Sequence, residues 1–439
     1  MANIFNVSNL KKTYYYLKRN GILQTVGAAM ERLHSPYFAD YTYSLPCSQE
    51  LEKQRKEVWN SPIVFSVLVP AYETKEEFLK VLIDSMVSQT YPYWELIIAD
   101  ASESAKVKRV CESYHEERIH YVPLENNAGI SENTNQGLKK TTGEYVGLLD
   151  HDDYLTPDAL YEMAKAIEDG RKKGKNYAFL YSDEDKCDEN GELFYDPHFK
   201  MDFNLDLFLT NNYICHFCVM KRELMAELKF RKEYDGAQDY DLCLRAVDKV
   251  WEENAKVEEF IFHVPKVLYH WRCHNDSTAA NPQSKKYAYE AGRRALQDFV
   301  ASRGWSATVE EMSHVGFYKV IYEDGIFAQR KDVALLGGKK IKWGKIAPCV
   351  FDMDGKPLYQ GIPLYYSGYI HRAVLTQNAS QLDIESWKVN PGIKGMVEEF
   401  LQKQAGKEFR THLEKQKAIC DYLTSQGYRL YWDPSWKVK

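Results

Sequence analysis

The chain's 439 residues are 44% hydrophobic and 27% charged, enough for one large domain with additions or for two to three domains, and too apolar for a disordered chain. Lys and Arg number 57 against 63 acidic residues, a net charge of −6, so there is no basic excess to neutralise a run of phosphates, which argues against nucleic acid as a partner. No apolar stretch approaches the roughly 20 residues that span a bilayer and the start lacks a signal-peptide layout, so the expectation is a cytoplasmic protein.

Residues 1–60 read as an N-terminal helical segment, with Lys11, Lys12, Lys18 and Arg19 interleaved among Leu10, Tyr14, Leu17, Ile22 and Leu23. A helical hairpin packed on the main domain is the favoured reading, with Gly21 interrupting the pattern. Peripheral contact with an anionic membrane surface, at its inner face, is the other. From Phe65 an apolar run stops at Pro70, and residues 75–88 place Phe78, Leu79, Leu82, Ile83 and Met86 at helical spacing. A second strand over 94–99 ends at Asp100, a polar helix covers 104–117, and a third strand covers 119–122. Residues 131–141 read as a helix, 145–149 as a strand ending at Asp150, and Thr156-Pro157 as an N-cap followed by proline at the first helical position. Strands alternating with helices at this interval predict an α/β fold with a mostly parallel sheet covered on both faces, whose ligand site lies at the carboxyl ends of the strands. That places residues 70–73, Asp100 and Asp150 together.

Cys215-His216-Phe217-Cys218 has CxxC spacing with no second pair, and it sits in the apolar run 213–220, which favours buried thiols over metal binding. Beyond about residue 310 the pattern breaks into short alternating stretches with a late helical region over 397–423. Residues 61–310 therefore form the main domain and 311–439 a C-terminal α+β appendage. The acidic pair Asp352 and Asp354 there runs into Gly355 and reads as a hairpin turn.

The most informative stretch is Leu149-Asp150-His151-Asp152-Asp153-Tyr154. Carboxylates crowded after a buried strand repel one another without a cation. Hard oxygen ligands of this kind suit Mg²⁺ or Mn²⁺ held partly by a substrate's phosphates, while an acidic cap on the following helix is the alternative reading.

The order of these segments resembles the family 2 glycosyltransferases of GT-A (Rossmann-like) fold over about residues 65–278. It includes Val69-Pro70-Ala71-Tyr72, Ile98-Ala99-Asp100-Ala101-Ser102, Asn127-Ala128-Gly129 through Asn135, Asp150-His151-Asp152, Ser182-Asp183-Glu184-Asp185, Gln238-Asp239-Tyr240-Asp241 and Tyr269-His270-Trp271-Arg272-Cys273-His274. The Ser-Asp-Glu-Asp and Gln-Asp-Tyr-Asp variants resemble the bacterial branch that builds cell-surface polysaccharide, rhamnosyltransferases included. The resemblance implies that Asp100 reads the N3–H of uracil or thymine, that Pro70, Ala71, Tyr72, Glu73 and Asn135 line the nucleotide, and that Asp150 bonds the ribose or a metal-bound water. It implies Asp152 as the metal ligand, with His270 or His274 completing the metal shell or touching the diphosphate. Asp239 matches the catalytic base of the inverting members, and Asp153 orients its loop. Asp183, Asp185, Trp271 and Arg272 are the candidates for sugar or acceptor contacts. One departure stands out: Thr134 occupies a position where many relatives carry arginine, which shifts charge neutralisation to the metal and to residues 270–274.

The implied activity is metal-dependent, inverting transfer of a sugar from a UDP- or dTDP-sugar to a hydroxyl of a surface polysaccharide or lipid-linked glycan precursor. Two alternatives are a non-catalytic sugar-nucleotide-binding module and a sugar-phosphate nucleotidyltransferase. The loop at 70–73 lacks the glycine and arginine that would cradle a nucleoside triphosphate. The chain's end, Gly427-Tyr428-Arg429-Leu430-Tyr431-Trp432, loosely resembles the end of a second transferase half in tandem relatives, which makes 311–439 a reduced remnant of such a half.

Overall fold

A computed structural model describes residues 7–34, 37–254, 256–274, 286–404, 409 and 411–438. The helices are α1 Val7–His34, α2 Ser48–Arg55, α3 Glu76–Val87, α4 Lys106–Ser113, α5 Ile130–Leu138, α6 Ala159–Lys172, α7 Leu205–Phe208, α8 Arg222–Leu228, α9 Gln238–Glu253, α10 Lys286–Ser302, α11 Ile326–Gln329, α12 Lys394–Lys403 and α13 His412–Ser425. The strands of the first half are β1 Phe65–Ala71, β2 Trp94–Asp100, β3 Ile119–Pro123, β4 Tyr145–Leu148, β5 Tyr154–Leu155, β6 Phe179–Cys187, β7 Phe194–His198, β8 Cys218–Lys221 and β9 Ile261–Arg272. There follow β10 Ala307–Glu311, β11 Tyr318–Tyr322, β12 Val333–Lys342, β13 Lys345–Ile346, β14 Val350–Phe351, β15 Gln377–Asn378, β16 Gln381–Leu382, β17 Trp387–Val389 and β18 Arg429–Val438.

Two units divide the chain. One comprises Phe38–Phe203 and Asn212–Phe299, the other Met1–Tyr37, Asn204–Asn211 and Val300–Lys439. The boundaries of these units fall after Tyr37 and after Phe299, with Asn204–Asn211 joined to the second. Residues 38–60 belong to the first unit because α2 and its sequel are tied to the sheet's helices: Thr90 Oγ1 donates to Gln54 Oε1 at 2.8 Å and Tyr161 OH to Glu57 Oε2 at 2.5 Å.

The first unit is built on a nine-stranded sheet of order β3-β2-β1-β4-β8-β6-β9-β5, with β7 on β6. Strands β3, β2, β1 and β4 run parallel, as the alternating pattern predicts. Beyond β4 the sheet becomes mixed: β8 is antiparallel to both β4 and β6, β6 and β9 are parallel, and β5 is antiparallel to β9. Strands β1 and β2 read as continuous apolar runs because both faces are covered, and Phe65, Val67, Leu68, Val69, Leu96, Ile97 and Ile98 are all buried. The apolar stripe of α3 (Phe78, Leu79, Leu82, Ile83, Met86) is buried against this sheet's core. Helix α5 sits so close to the strands that a Cβ on Gly137 would fall 2.5 Å from Leu68 Cδ1 and 2.9 Å from Ala99 Cβ.

Residues 154–158 correct one expectation. The helix opens at Ala159 with Asp158 at its N-cap, not at Thr156-Pro157. The preceding residues are taken by the sheet and its surroundings: Tyr154 and Leu155 pair with β9, Thr156 N donates to Leu268 O at 3.0 Å, and Pro157 O accepts Thr90 N at 2.8 Å. Thr156 Oγ1 donates instead to Asp158 Oδ1 at 2.8 Å. Cys215 and Cys218 are buried, as their apolar run predicts.

The second unit has its own core around Leu335, Val350, Leu382, Ile419, Leu423 and Trp432. Its central strand β12 pairs in parallel with β18 and antiparallel with β13 and β17, while β15 lines the other side of β18. Arg330, fully buried, joins Asp206 of the α7 segment at 2.7 Å to Asp332 at 2.7 Å. Helix α1 breaks at Gly21 (φ 78°), and Arg19 and Glu31 anchor it: Arg19 donates to Met312 O at 2.8 Å, and Glu31 Oε2 accepts Ser367 N at 2.8 Å. The Asp352–Asp354 stretch is a turn, with Asp352 Oδ1 accepting the amides of Asp354 (3.0 Å) and Lys356 (2.8 Å). The late helical region is two helices, α12 and α13.

Candidate active site

The acidic loop leaves the sheet directly after β4. Its third carboxylate turns inward: Asp153 Oδ2 accepts Tyr269 OH at 2.5 Å and Oδ1 accepts Arg272 N at 2.7 Å, which ties the loop to β9. Burial, with Asp152 and Asp150 beside it, holds the Asp153 carboxyl well above the ordinary carboxylate range. Arg272 completes the tie by donating from Nε to Asp152 O at 2.7 Å and from Nη1 to Glu189 O at 2.7 Å. Its guanidinium lies over the Phe78 and Tyr154 rings, and Nη2 is buried without a hydrogen-bond partner among the described residues. With Asp153 fixed inside, Asp150 and Asp152 are left for the mouth of the site.

Each of these two faces an imidazole. His274 Nε2 lies 2.7 Å from Asp152 Oδ2, and His216 Nε2 lies 3.9 Å from Asp150 Oδ2. Desolvation raises the Asp150 carboxyl above its ordinary value although half its side chain is open; His216 and His151 oppose that rise, while Asp152 and Asp239 add to it. Asp150 and Asp152 thus each meet an imidazole, and the charge of Asp239 is felt at Asp150. Asp239 stands in the first turn of α9 and accepts Asn212 Nδ2 at 3.0 Å. Asp241, two residues on, turns the other way into the buried ion pairs with Arg231 and Arg245, the latter at 2.7 Å.

On the nucleotide side, Asp100 ends β2, is 2% exposed and accepts Ser102 Oγ at 2.5 Å and Tyr121 OH at 3.0 Å. Pro70 and Ala71 close β1. Tyr72 is exposed, and Glu73 adopts φ 48° with its carboxylate accepting Ser104 Oγ at 2.7 Å. Asn135 does not face this mouth through its amide: Nδ2 donates to Phe230 O at 2.8 Å and Oδ1 accepts Phe230 N at 2.9 Å. Thr134 is buried, its hydroxyl bonded back to Ile130 O at 2.7 Å, so α5 presents no cation there.

The structure separates the two candidate histidines. His270 is buried 2.6 Å from Asp185 Oδ1, its ring among Tyr43, Tyr154 and Phe194, so of the pair only His274 meets Asp152. Asp185 also accepts Tyr41 OH at 2.7 Å, and Asp183 meets His263 Nε2 at 2.8 Å and Lys200 N at 2.7 Å. Both carboxylates lie inside β6, buried and bonded within the protein. The Trp271 ring is half-buried, 5.9 Å from that of His216.

Sequence reasoning missed His216 and Glu184. Glu184 Oε2 accepts His216 N at 2.7 Å and meets His216 Nδ1 at 3.0 Å, while Oε1 lies 3.3 Å from His198 Nδ1 and 3.9 Å from Lys200 Nζ. Burial alone would raise the Glu184 carboxyl, but Lys200, His198 and His216 together hold it well below the ordinary range. Burial pulls the other way on His216, whose Glu184 and Asp150 partners nevertheless hold the imidazole well above its usual value. The signal was present for His216: a histidine inside an otherwise apolar, buried segment needs a partner. Gly147 makes room for this arrangement, since a Cβ there would fall 2.6 Å from the Phe217 ring.

A carboxylate and an imidazole that converge, with a second carboxylate beside them, fit a divalent cation that takes its remaining oxygens from substrate phosphates. Among the described residues no group of three or more His, Cys, Asp or Glu side chains is placed to hold a metal ion by itself. Asp152 and His274 are the two that converge, with Asp150 adjacent.

The family model described as "Glycosyl transferase family 2" matches residues 66–229, which contain β1 to β8 and the acidic loop. The chain is 40% identical over 250 residues to "Uncharacterized protein y4gI" of Sinorhizobium fredii, covering 56% of this chain and 26% of that one. It is 32% identical over 263 residues to "O-antigen biosynthesis protein RfbC" of Myxococcus xanthus, covering 59% of this chain and 20% of that protein. To the "Amylovoran biosynthesis glycosyltransferase AmsB" of Erwinia amylovora it is 32% identical over 200 residues, 42% of this chain and 64% of the relative. The chain thus spans about a quarter of the length of the first and a fifth of the second. Among solved structures, S. aureus TarS 1–349 in complex with UDP aligns with a TM-score of 0.41 and 21% identity, over 54% of this chain and 65% of that one. The family match begins at the second residue of β1 and spans Asp100, Asp150, Asp152, Glu184 and His216, so that residues 66–229 are similar to the family 2 glycosyltransferases.

Proposed function

We propose that the chain transfers a sugar, with inversion, from a UDP- or dTDP-sugar to a hydroxyl of a surface polysaccharide or of its lipid-linked precursor. The observation that carries this reading is the grouping of Asp150 and Asp152 with His274 and His216 in reach of Asp239's field, at the carboxyl end of the parallel strands. Asp239 takes the proton of the acceptor hydroxyl as that oxygen attacks the anomeric carbon. The bond from that carbon to the diphosphate breaks on the opposite face, and the leaving group carries the electron pair away. Asp152 and His274 would hold Mn²⁺ or Mg²⁺, which supplies Lewis-acid neutralisation of the diphosphate. Arg272, and His216 whose imidazole is held well above its ordinary value, add positive charge that α5, with Thr134, does not. Asp100, at the end of β2, is the group that would read a uracil or thymine edge. The O-antigen and amylovoran relatives support a surface polysaccharide as the product class.

The test is thermal stabilisation by UDP, dTDP, GDP and ADP, each with and without Mn²⁺, followed by Asp239→Asn. A ligand bound only by the native state raises apparent stability, by about 2.7 kcal/mol at a hundred times its Kd. Stabilisation by UDP or dTDP that needs the metal is expected. Asp239→Asn is expected to keep it and to lose transfer by a hundredfold or more, on the order of the general-base contribution. Nucleotide binding without transfer by the parent protein toward any acceptor glycan would favour a binding module. Loss of nucleotide binding in Asp239→Asn would remove Asp239 from the base role.

A further inference from the structure

From the surface of the second unit we infer a docking face for an anionic lipid bilayer, formed by the outer side of α1 and the β12–β13 hairpin. It stands apart from the donor chemistry. After the break at Gly21, helix α1 carries Ile22, Leu23, Val26, Met30 and Leu33 at helical spacing, which at about 100° per residue places them on one face roughly a third of the circumference wide. All five are exposed, Leu23 to 76%. The adjoining face is the one that packs: Gly27 lies against Tyr365, with a Cβ there 3.0 Å from Tyr365 O, and Glu31 is buried on Ser367 and Gly368. The stripe is therefore not a core face turned outward by error in register, because the helix has already spent a different face on the protein.

The neighbouring hairpin continues the surface. Leu364 N donates to Gly344 O at 2.9 Å and Lys345 bridges Pro363, which brings the hairpin tip beside Tyr365 and so beside Gly27 of α1. At that tip Trp343 is 90% exposed, flanked by the exposed Lys342 and Lys345, with Lys342 Nζ 4.7 Å from the indole centroid. Tyr365 is itself 66% exposed. Aliphatic side chains in a stripe, aromatic residues that favour the headgroup level, and lysines at the margin are the composition of an interfacial element that lies in the membrane plane. Charge supports the same occupant. In a chain of net charge −6, Val7–His34 holds five Lys and Arg against a single acidic residue, Glu31, and that one is buried and hydrogen-bonded. Among the described residues no helix is long and apolar enough to cross a membrane, so the contact would be peripheral.

The experiment is co-sedimentation of the full chain with vesicles of phosphatidylcholine alone and with phosphatidylglycerol added, at low and high salt, alongside light scattering without lipid. Binding that needs phosphatidylglycerol and weakens with salt is expected. Leu23→Asp/Val26→Asp should abolish it, and Lys342→Glu/Lys345→Glu should weaken it by about five-fold or more per lysine. Trp343→Ala, at a tip with little packing to lose, should weaken it with an unchanged melting temperature, which guards against misfolding of the helix variant. Absence of binding to phosphatidylglycerol vesicles would overturn the proposal. So would equal binding by Trp343→Ala and the lysine variant, or a lipid-free dimer of the parent that Leu23→Asp/Val26→Asp converts to monomer.

Discussion

At the scale of single residues, the site depends on a carboxylate that touches no substrate position itself. Glu184 is surrounded by His216, His198 and Lys200, and through both the ring and the backbone of His216 it sets where Nε2 points. Glu184→Gln would leave Lys200, whose side chain is fully buried, without its anion, and breaking a buried pair in this way costs about 3–5 kcal/mol. His216→Gln spares that network more, since an amide can still donate to Glu184. Its expected signature is therefore different: a melting temperature close to the parent's with a tenfold or greater loss in kcat/KM for the donor, roughly 1.4 kcal/mol of lost stabilisation. Calorimetry on both variants beside donor kinetics separates the two. Equal destabilisation by both would assign His216 to packing alone.

At the scale of elements, β6 explains why some site residues were legible and others were not. Asp150 and Asp152 stand in a loop directly after an apolar run, where a polar residue draws attention, and Asp239 stands in the first turn of α9. The string Ser182-Asp183-Glu184-Asp185 looks like a strand end in one dimension, yet it runs inside β6, where alternate residues face opposite ways. Asp183 and Asp185 meet His263 and His270 of the parallel neighbour β9, and Glu184 meets His216 at the entrance to β8. Which histidine answers which carboxylate depends on strand order and register, and neither can be read from local sequence when the partners lie 32 to 85 residues apart. The parallel half of the sheet was legible because continuous apolar runs and helical stripes are local signals; the mixed half, with β8 between β4 and β6, was not. Element packing also reaches the site through β4. Gly147→Ala would drive a methyl into the Phe217 ring and so displace the residue next to His216, with an expected cost of about 1–3 kcal/mol. Denaturant unfolding checks it: a midpoint unchanged from the parent would show that Phe217 yields freely.

At the scale of the whole molecule, the two units carry titrating groups with opposite consequences. In the unit that holds the site, Glu184 and Asp150 hold His216 well above the ordinary imidazole value of 6.5. A folded-state value raised in this way contributes stability that is fully present below about pH 6.5 and is lost as pH rises through the raised value. In the other unit, the His314 and His371 rings stack with centroids 3.6 Å apart, and His371 Nδ1 lies 2.9 Å from Ser367 Oγ. Burial, with Arg19 acting on His314 and His314 acting on His371, pushes these two down to about 4 and about 3. Here the unfolded chain binds protons more readily than the folded one, so stability is complete well above pH 6.5 and declines toward acid, by on the order of 2 kcal/mol per ring near pH 5. Because the same rings pack against Tyr16 and next to the residues that hold Arg19 and Asn20, the acid loss should be felt first by α1. Hydrogen exchange of metal-free protein at pH 7 and pH 5 should show α1 amides losing protection at the lower pH while those of β1 and β2 keep theirs. His371→Asn, which suits the left-handed backbone there (φ 61°), should flatten that acid response. An α1 whose protection is equal at both values would mean that the stacked histidines are accommodated in their charged form.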